Sequence, residues 1–238
     1  MAYWAVVPAA GSGTRMSSQV PKQYLALAGK TVIEHTLACL AAHPSINGIV
    51  VALTPGDVRW HDVQLRLNKP VLLVDGGGER CNSVLNALLE LQKHAQPDDW
   101  VLVHDGARPC LRLTDIDKLI AELRNHPHGG LLAVPVRDTM KRADENSNVF
   151  ETVERKGLWH ALTPQMFRLG ELSNALIHAI DQGWLVTDEA SAMELAGYKP
   201  HLVEGAADNI KITRHEDLVN DKPKPWLLSM HWRPVLRP

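Results

Sequence analysis

Residues 3–24 read YWAVVPAAGSGTRMSSQVPKQY, and this stretch decides the fold. Tyr3 to Val7 is a short apolar run without polar alternation, the pattern of a strand covered on both faces. The turn after it is made of small residues, Ala9, Ala10, Gly11, Ser12 and Gly13, which let backbone N–H groups approach a ligand closely. Arg15 and Lys22 then bring two cations to the same corner. Small residues beside fixed positive charge point to a polyphosphate site; an ordinary glycine turn with surface cations is the plainer alternative. Two common phosphate loops do not fit. A Walker A loop ends Gly-Lys-Ser/Thr, whereas Val20-Pro21 precedes Lys22, and a dinucleotide fingerprint needs a third glycine where Met16 stands.

Outward from this corner, apolar runs alternate with helical periodicity. Val32, Ile33, Thr36, Leu37, Leu40 and Ala41 recur at helical spacing and stop near Pro44. Strands are expected at 49–53, 71–74, 100–103 and 131–134, with helices from Ser83 and from Thr114, the latter a good N-cap. Further helices are expected from Leu169 to Ile180 and from Thr187 to Ala196, then two short strands near His201 and Ile210. This order indicates an α/β fold with a doubly wound, mostly parallel, Rossmann-like sheet whose ligands sit beyond the strands' carboxyl ends. Residues 1–218 read as one domain. Within it, the polar segment at about 136–160 breaks the rhythm, as either a surface loop or an arm leaving the domain. Residues 219–238 form a Pro-rich tail, in which Pro223 and Pro225 prevent a helix from propagating.

The 238 residues, 45% hydrophobic and 22% charged, suffice for a full core. Lys+Arg 25 against Asp+Glu 27 leaves a net charge of −2, which gives no basic footprint for nucleic acid, so phosphate binding must be local. The three cysteines form no C-x-x-C, as expected of reduced thiols in a cytoplasmic protein. No apolar run approaches the length of a membrane span.

Two further motifs carry chemistry. Gly76-Gly77-Gly78-Glu79-Arg80 with Ser83 offers hydrogen-bonding edges suited to a base, or a plain strand–helix turn. Val103-His104-Asp105-Gly106-Ala107-Arg108 puts a carboxylate at a strand tip, where Mg²⁺ takes one or two carboxylates plus substrate phosphates. A His104–Asp105 dyad is disfavoured, because adjacent strand residues face opposite ways. Thr187-Asp188-Glu189 reads as an N-cap with first-turn acids, and Lys211 is placed on an apolar strand.

The pattern A-A-G-x-G-x-R-M over 9–16 followed by P-K-Q-Y over 21–24 resembles the signature loop of nucleotidyltransferases. Among them the chain is most similar to the 2-C-methyl-D-erythritol 4-phosphate cytidylyltransferase family of the non-mevalonate isoprenoid pathway. The resemblance runs colinearly from about Trp4 to Leu218 and departs at the tail, where the family usually has a helix. It implies CMP transfer from CTP to 2-C-methyl-D-erythritol 4-phosphate, with Mg²⁺ and a homodimer joined through the arm. It makes Ala9, Ala10, Gly11 and Gly13 the phosphate cradle, and Arg15 and Lys22 the groups that neutralise the transferring phosphate. Gly77 and Ser83 contact cytosine, although Gly78 stands where the family often has an acid. Asp105 holds the metal, with Asp208 a weaker candidate for the metal region; Ala107 neighbours the ribose, Arg108, Thr187 and Lys211 serve the acceptor, and Thr163 matches a further substrate-binding position of the family. Thr139 and Arg155 reach it from the partner subunit. A nucleotidyltransferase of different base or acceptor, and a CTP-binding regulator without turnover, are the rival readings.

Overall fold

The structure, a computed structural model, describes residues 1–11, 20–214 and 217–218. Strands β1 (Tyr3–Pro8), β4 (Ile46–Leu53), β5 (Val71–Asp75), β6 (Trp100–Val103), β7 (Gly130–Pro135), β10 (Trp159–Arg168) and β11 (His201–Glu204) form one sheet in the order β11-β7-β10-β6-β1-β4-β5. β6, β1, β4 and β5 run parallel, as do β11 and β7, while β10 runs antiparallel to both neighbours. Two small ribbons stand apart from it, β2 (Ala26–Leu27) with β3 (Lys30–Thr31), and β8 (Met140–Ala143) with β9 (Val149–Val153).

The continuous apolar runs are explained by what covers each face. Along β1, Ala5 and Val7 enter one core while Val6 enters the other; β4 and β6 alternate likewise, with Trp100 and Leu102 opposed to Val101 and Val103. Helices α1 (Val32–Ala42) and α3 (Leu113–Leu123) close the first face through Ile33, Leu37, Ile116 and Leu119. Helices α2 (Arg80–Leu91), α4 (Leu169–Asp181) and α5 (Glu189–Leu195) close the second through Val84, Leu88, Leu172 and Met193. Leu37 and Leu88 are fully buried, so truncating either to alanine costs about 2–5 kcal/mol. Because β1, β4, β5 and β6 run parallel, their carboxyl ends share one edge of the sheet. Ala9, Thr54 and Gly76 follow three of those ends directly, and Asp105 lies two residues beyond the end of β6.

Several boundaries differ from the sequence expectation. α2 begins at Arg80 rather than Ser83, because the Asn82 side chain receives the Glu79 N–H at 3.1 Å and starts the helix a turn early. α3 begins at Leu113 after Arg112, not at an N-cap Thr114; the Arg112 carbonyl already accepts the Asp115 N–H at 3.1 Å. Asp188, not Thr187, caps α5, accepting the Ser191 N–H at 2.9 Å. No strand forms at Ile210. The chain turns there, with the Asn209 N–H bonded to the Ala206 carbonyl at 3.1 Å and the Ile210 N–H to Asp208 at 2.8 Å, so Lys211 lies on a turn segment. The sequence reading also missed β10, whose mixed Leu162-Thr163-Pro164-Gln165 centre shows neither alternation nor an apolar run. Within 136–160, the regular structure is the exposed β8–β9 hairpin and the first two residues of β10.

Candidate active site

Carboxyl ends of the parallel strands surround a cavity of about 170 Å³. Ala9, Ala10, Gly11 and Lys22 form one wall; Gly77, Gly78, Arg80 and Ser83 another; Asp105, Gly106, Ala107 and Lys211 the floor. The loop wall is set by side chains that grip its carbonyls. The Gln23 carboxamide donates to the Ala9 carbonyl at 2.7 Å and the Gly11 carbonyl at 3.3 Å, and the Thr54 hydroxyl to the Ala10 carbonyl at 2.9 Å. In a planar trans peptide the next N–H points opposite its carbonyl. Holding the Ala9 and Ala10 carbonyls therefore turns the Ala10 and Gly11 N–H groups away from these anchors, as an anion cradle requires. Gln23 is buried, so its grip is not diluted by water.

The glycines opposite earn their place sterically. A Cβ on Gly76 would stand 2.4 Å from the Ala10 Cβ, and one on Gly77 would stand 2.3 Å from the Asn82 Cβ. Only glycine lets the turn close against the loop and the helix start. The Ser83 hydroxyl accepts the Gly77 N–H at 3.0 Å and donates to the Glu79 carbonyl at 3.1 Å, fixing this edge. At Gly78 a Cβ meets nothing within 4 Å, so the cavity is open there.

Asp105 is the electrostatic centre. Its Oδ1 accepts Arg80 Nε at 3.1 Å; its Oδ2 accepts Lys211 Nζ at 2.9 Å and Arg108 Nε at 3.4 Å. Burial would raise this carboxyl, but Arg80, then Lys211 and Arg108, outweigh it and hold Asp105 well below the usual carboxylate range. Its N–H is received by the Thr163 hydroxyl at 3.2 Å. His104 is fully buried and lines none of the cavity; its ring is bonded to the Arg108 carbonyl at 3.0 Å and the Thr163 hydroxyl at 3.0 Å. Burial pushes this imidazole down to about 4, so at neutral pH it is an uncharged support.

The remaining residues singled out in the sequence fall into three groups. Ala107 lines the cavity, and its carbonyl receives the Ile212 N–H at 2.9 Å, which draws the Lys211 segment alongside. Arg108 reaches the Asn209 carbonyl at 2.7 Å, and Thr163, in the interval where β10 slips register with β7, lies buried beneath Asp105. Thr139, Arg155 and Thr187 are exposed and line none of this cavity; Arg155 donates to the Arg137 carbonyl and borders a second hollow with Val136 and Trp159. Asp208 pairs with Arg112. Gly13 and Arg15, and the tail, lie outside the described residues.

Three contributors went unassigned in the sequence: Gln23, Arg80 and Glu189. Each sits inside a quoted motif, but nothing local marks Gln23 as reaching back to Ala9 or Arg80 as meeting Glu189 across the fold. Among the described residues no group of three or more His, Cys, Asp or Glu side chains gathers to hold a metal. Two carboxylates, Asp105 and Glu79, line the cavity, and Mg²⁺ commonly takes one or two carboxylates and draws its other oxygens from nucleotide phosphates and water; at Asp105 the ion would share the oxygens now held by Arg80, Arg108 and Lys211.

The cavity combines a small-residue backbone turn, a glycine edge and a cation-ringed carboxylate. Known proteins resemble the chain over most of its length. The family model IspD, 2-C-methyl-D-erythritol 4-phosphate cytidylyltransferase, matches residues 3–222. The chain is 55% identical over 218 residues to the 2-C-methyl-D-erythritol 4-phosphate cytidylyltransferase of Pseudomonas fluorescens (strain Pf0-1), covering 91% of this chain and 93% of that protein. It is 56% identical over 219 residues to the protein of the same name from Pseudomonas aeruginosa (strain PAO1), covering 92% and 94%. Its fold superposes on a crystal structure of 4-diphosphocytidyl-2C-methyl-D-erythritol synthase with a TM-score of 0.80 at 38% identity, covering 91% and 94% of the two chains. The Francisella tularensis 2-C-methyl-D-erythritol 4-phosphate cytidylyltransferase superposes with a TM-score of 0.79 at 37% identity, covering 92% and 97%.

Proposed function

The chain belongs to the 2-C-methyl-D-erythritol 4-phosphate cytidylyltransferase family, and on that premise we propose how its residues divide the work. The protein transfers CMP from CTP to 2-C-methyl-D-erythritol 4-phosphate, giving 4-diphosphocytidyl-2-C-methyl-D-erythritol and pyrophosphate, a step of isoprenoid precursor synthesis. An oxygen of the acceptor phosphate attacks the α-phosphorus of CTP, the α–β bridging P–O bond breaks, and the electron pair leaves on pyrophosphate. The attacking phosphate is already an anion near neutral pH, so no side-chain base is needed. Positioning and charge neutralisation carry the rate.

The observation that carries this division of labour is the buried Asp105 flanked by Arg80, Arg108 and Lys211 on the cavity floor. The Ala10 and Gly11 N–H groups cradle the CTP phosphates, while Lys22 and Arg15 neutralise the charge that builds on the α-phosphate and the leaving group. The Gly77–Ser83 edge reads cytosine, Ala107 borders the ribose, and Lys211 with Arg108 orients the acceptor phosphate. Asp105 would hold a Mg²⁺ ion, which would supply further neutralisation of the phosphates. Thr139 and Arg155 serve the acceptor across a homodimer interface built on the hairpin, where Val149 and Phe150 are 65% and 71% exposed and offer the apolar area an interface needs. Thr163 acts from beneath, through Asp105, and Thr187 from the rim.

Pyrophosphate release, measured for each NTP against a panel of sugar and polyol phosphates with and without Mg²⁺, tests this reading. Turnover confined to CTP with 2-C-methyl-D-erythritol 4-phosphate, and dependent on a divalent ion, is expected. Equal turnover with another NTP, or CTP binding with no pyrophosphate, defeats it.

A further inference from the structure

Arg80 opens α2 and Glu189 opens α5, so two helix starts far apart in sequence meet at the cavity wall. Glu189 is 1% exposed and grips the guanidinium with both oxygens, Oε1 to Nη1 at 2.6 Å and Oε2 to Nη2 at 3.1 Å. The third nitrogen, Nε, donates to Asp105 at 3.1 Å, so all three nitrogens are engaged and the plane of the guanidinium is fixed. Beyond Asp105 the relay continues to Lys211 at 2.9 Å. The start of α5 is itself clamped: Gln165 of β10 donates to Asp188 Oδ2 at 2.8 Å and accepts the Ala190 N–H at 2.8 Å.

A relay of four charged groups is a poor means of stabilising a fold, since desolvation offsets much of its Coulomb energy and an apolar pair of similar volume often serves as well. What it supplies is direction. We propose that Arg80, held by Glu189, is a positioning residue for nucleotidyl transfer: it orients Asp105, and through it Lys211, and so ties the acceptor side at the start of α5 to the nucleotide side at the start of α2. The inference rests on the reaction assigned above. Arg80 borders the cavity, but its three nitrogens are committed to Asp105 and Glu189, so the two residues act through Asp105 and Lys211.

The test uses the full chain with both Arg80→Met and Glu189→Leu, which removes the pair without leaving a buried charge alone. Melting temperature, CTP affinity by calorimetry, and kcat and KM for each substrate are measured beside wild type. The expected result is a folded protein binding CTP within about threefold of wild type, with kcat lowered about 10–100-fold, as misplacement of reacting groups produces. Arg80→Lys, which keeps the charge but not the fork, is expected to retain more kcat than the double variant. A folded double variant with kcat within about fivefold of wild type overturns the proposal and makes the pair a structural staple. Where the double variant does not fold, Glu189→Gln decides by the same split, because it keeps the shape and one acceptor oxygen. A fall in kcat of more than about twofold at unchanged CTP affinity supports the relay, and a smaller one overturns it. Wild-type protein that releases no pyrophosphate defeats the assigned reaction and the relay with it, whereas active wild type with an unaffected variant defeats the relay alone.

Discussion

The cavity floor and the β8–β9 hairpin handle charge in opposite ways. At Asp105 a buried carboxylate is met by three cations, from α2, its own loop and the Lys211 segment, which converge on its two oxygens. On the hairpin, Arg142 pairs with Glu151 in full view of solvent, and Arg155 leans on a backbone carbonyl. Exposed pairs of that kind contribute about 0–1 kcal/mol, too little to hold a long side chain in one pose. The contrast teaches where preorganisation comes from. The floor is organised by the fold of one chain, whereas in the proposed dimer the hairpin's side chains gain their geometry only when another surface covers them.

The largest effect is expected on the preorganised side. Lys22→Ala should lower kcat about 10²–10³-fold while CTP binding, followed by calorimetry, weakens much less, because its charge matters most as negative charge develops. An equal loss in binding with unchanged turnover would make Lys22 an anchor only. Next comes Arg155→Ala, which should lower kcat/KM for the acceptor about 10–100-fold, the value of one charge-assisted hydrogen bond, with the CTP dependence unmoved. Mixing Lys22→Ala with Arg155→Ala subunits breaks or confirms the contrast directly. Hybrids that recover up to about half of wild-type activity place the arm in the neighbour's site, and hybrids that form yet stay inactive refute that arrangement.

A smaller effect is expected from Phe150→Ser. Sedimentation should show the dimer dissociation constant raised about tenfold, the worth of roughly half a buried aromatic side chain. An unchanged association would mean that Phe150 is merely a solvent-facing hairpin residue. The smallest effect lies beneath the corner, at Glu34. Burial would raise this carboxyl, but bonds from the Thr31 N–H at 2.5 Å, its hydroxyl at 2.7 Å and the Gln64 N–H at 2.9 Å hold it below its ordinary value of 4.5. A depressed carboxyl stabilises the fold above its ordinary pKa, and that contribution is lost as pH falls through the folded value. Glu34→Gln should therefore cost about 1 kcal/mol near neutral pH, the net worth of a hydrogen bond, and the difference in melting temperature should shrink in acid below 4.5. A difference that stays constant into acid would assign Glu34 a packing role instead.

Much of this molecule was legible in the chain, because the signals were local. The runs at Tyr3–Val7, Ile49–Leu53 and Trp100–Val103 carry the strand pattern in consecutive residues, and the glycine turns mark their ends. Ala9 to Gly11 and Asp105 could be singled out in the same way, as a small-residue turn and a strand-tip carboxylate, and the structure brings them to one cavity. Tertiary structure alone decided the rest. β10 has no alternation of its own and becomes a strand because β6 and β7 offer unpaired edges on both sides. Gln23 could be quoted but not aimed: its role depends on a fold-back that places it beneath Ala9 and Gly11. Arg80 and Glu189 are 109 positions apart, and only the docking of α2 and α5 on one face of the sheet brings Arg80 onto the buried Glu189. Sequence fixes what is set by neighbours along the chain; pairing across it follows from which surfaces the core brings into contact.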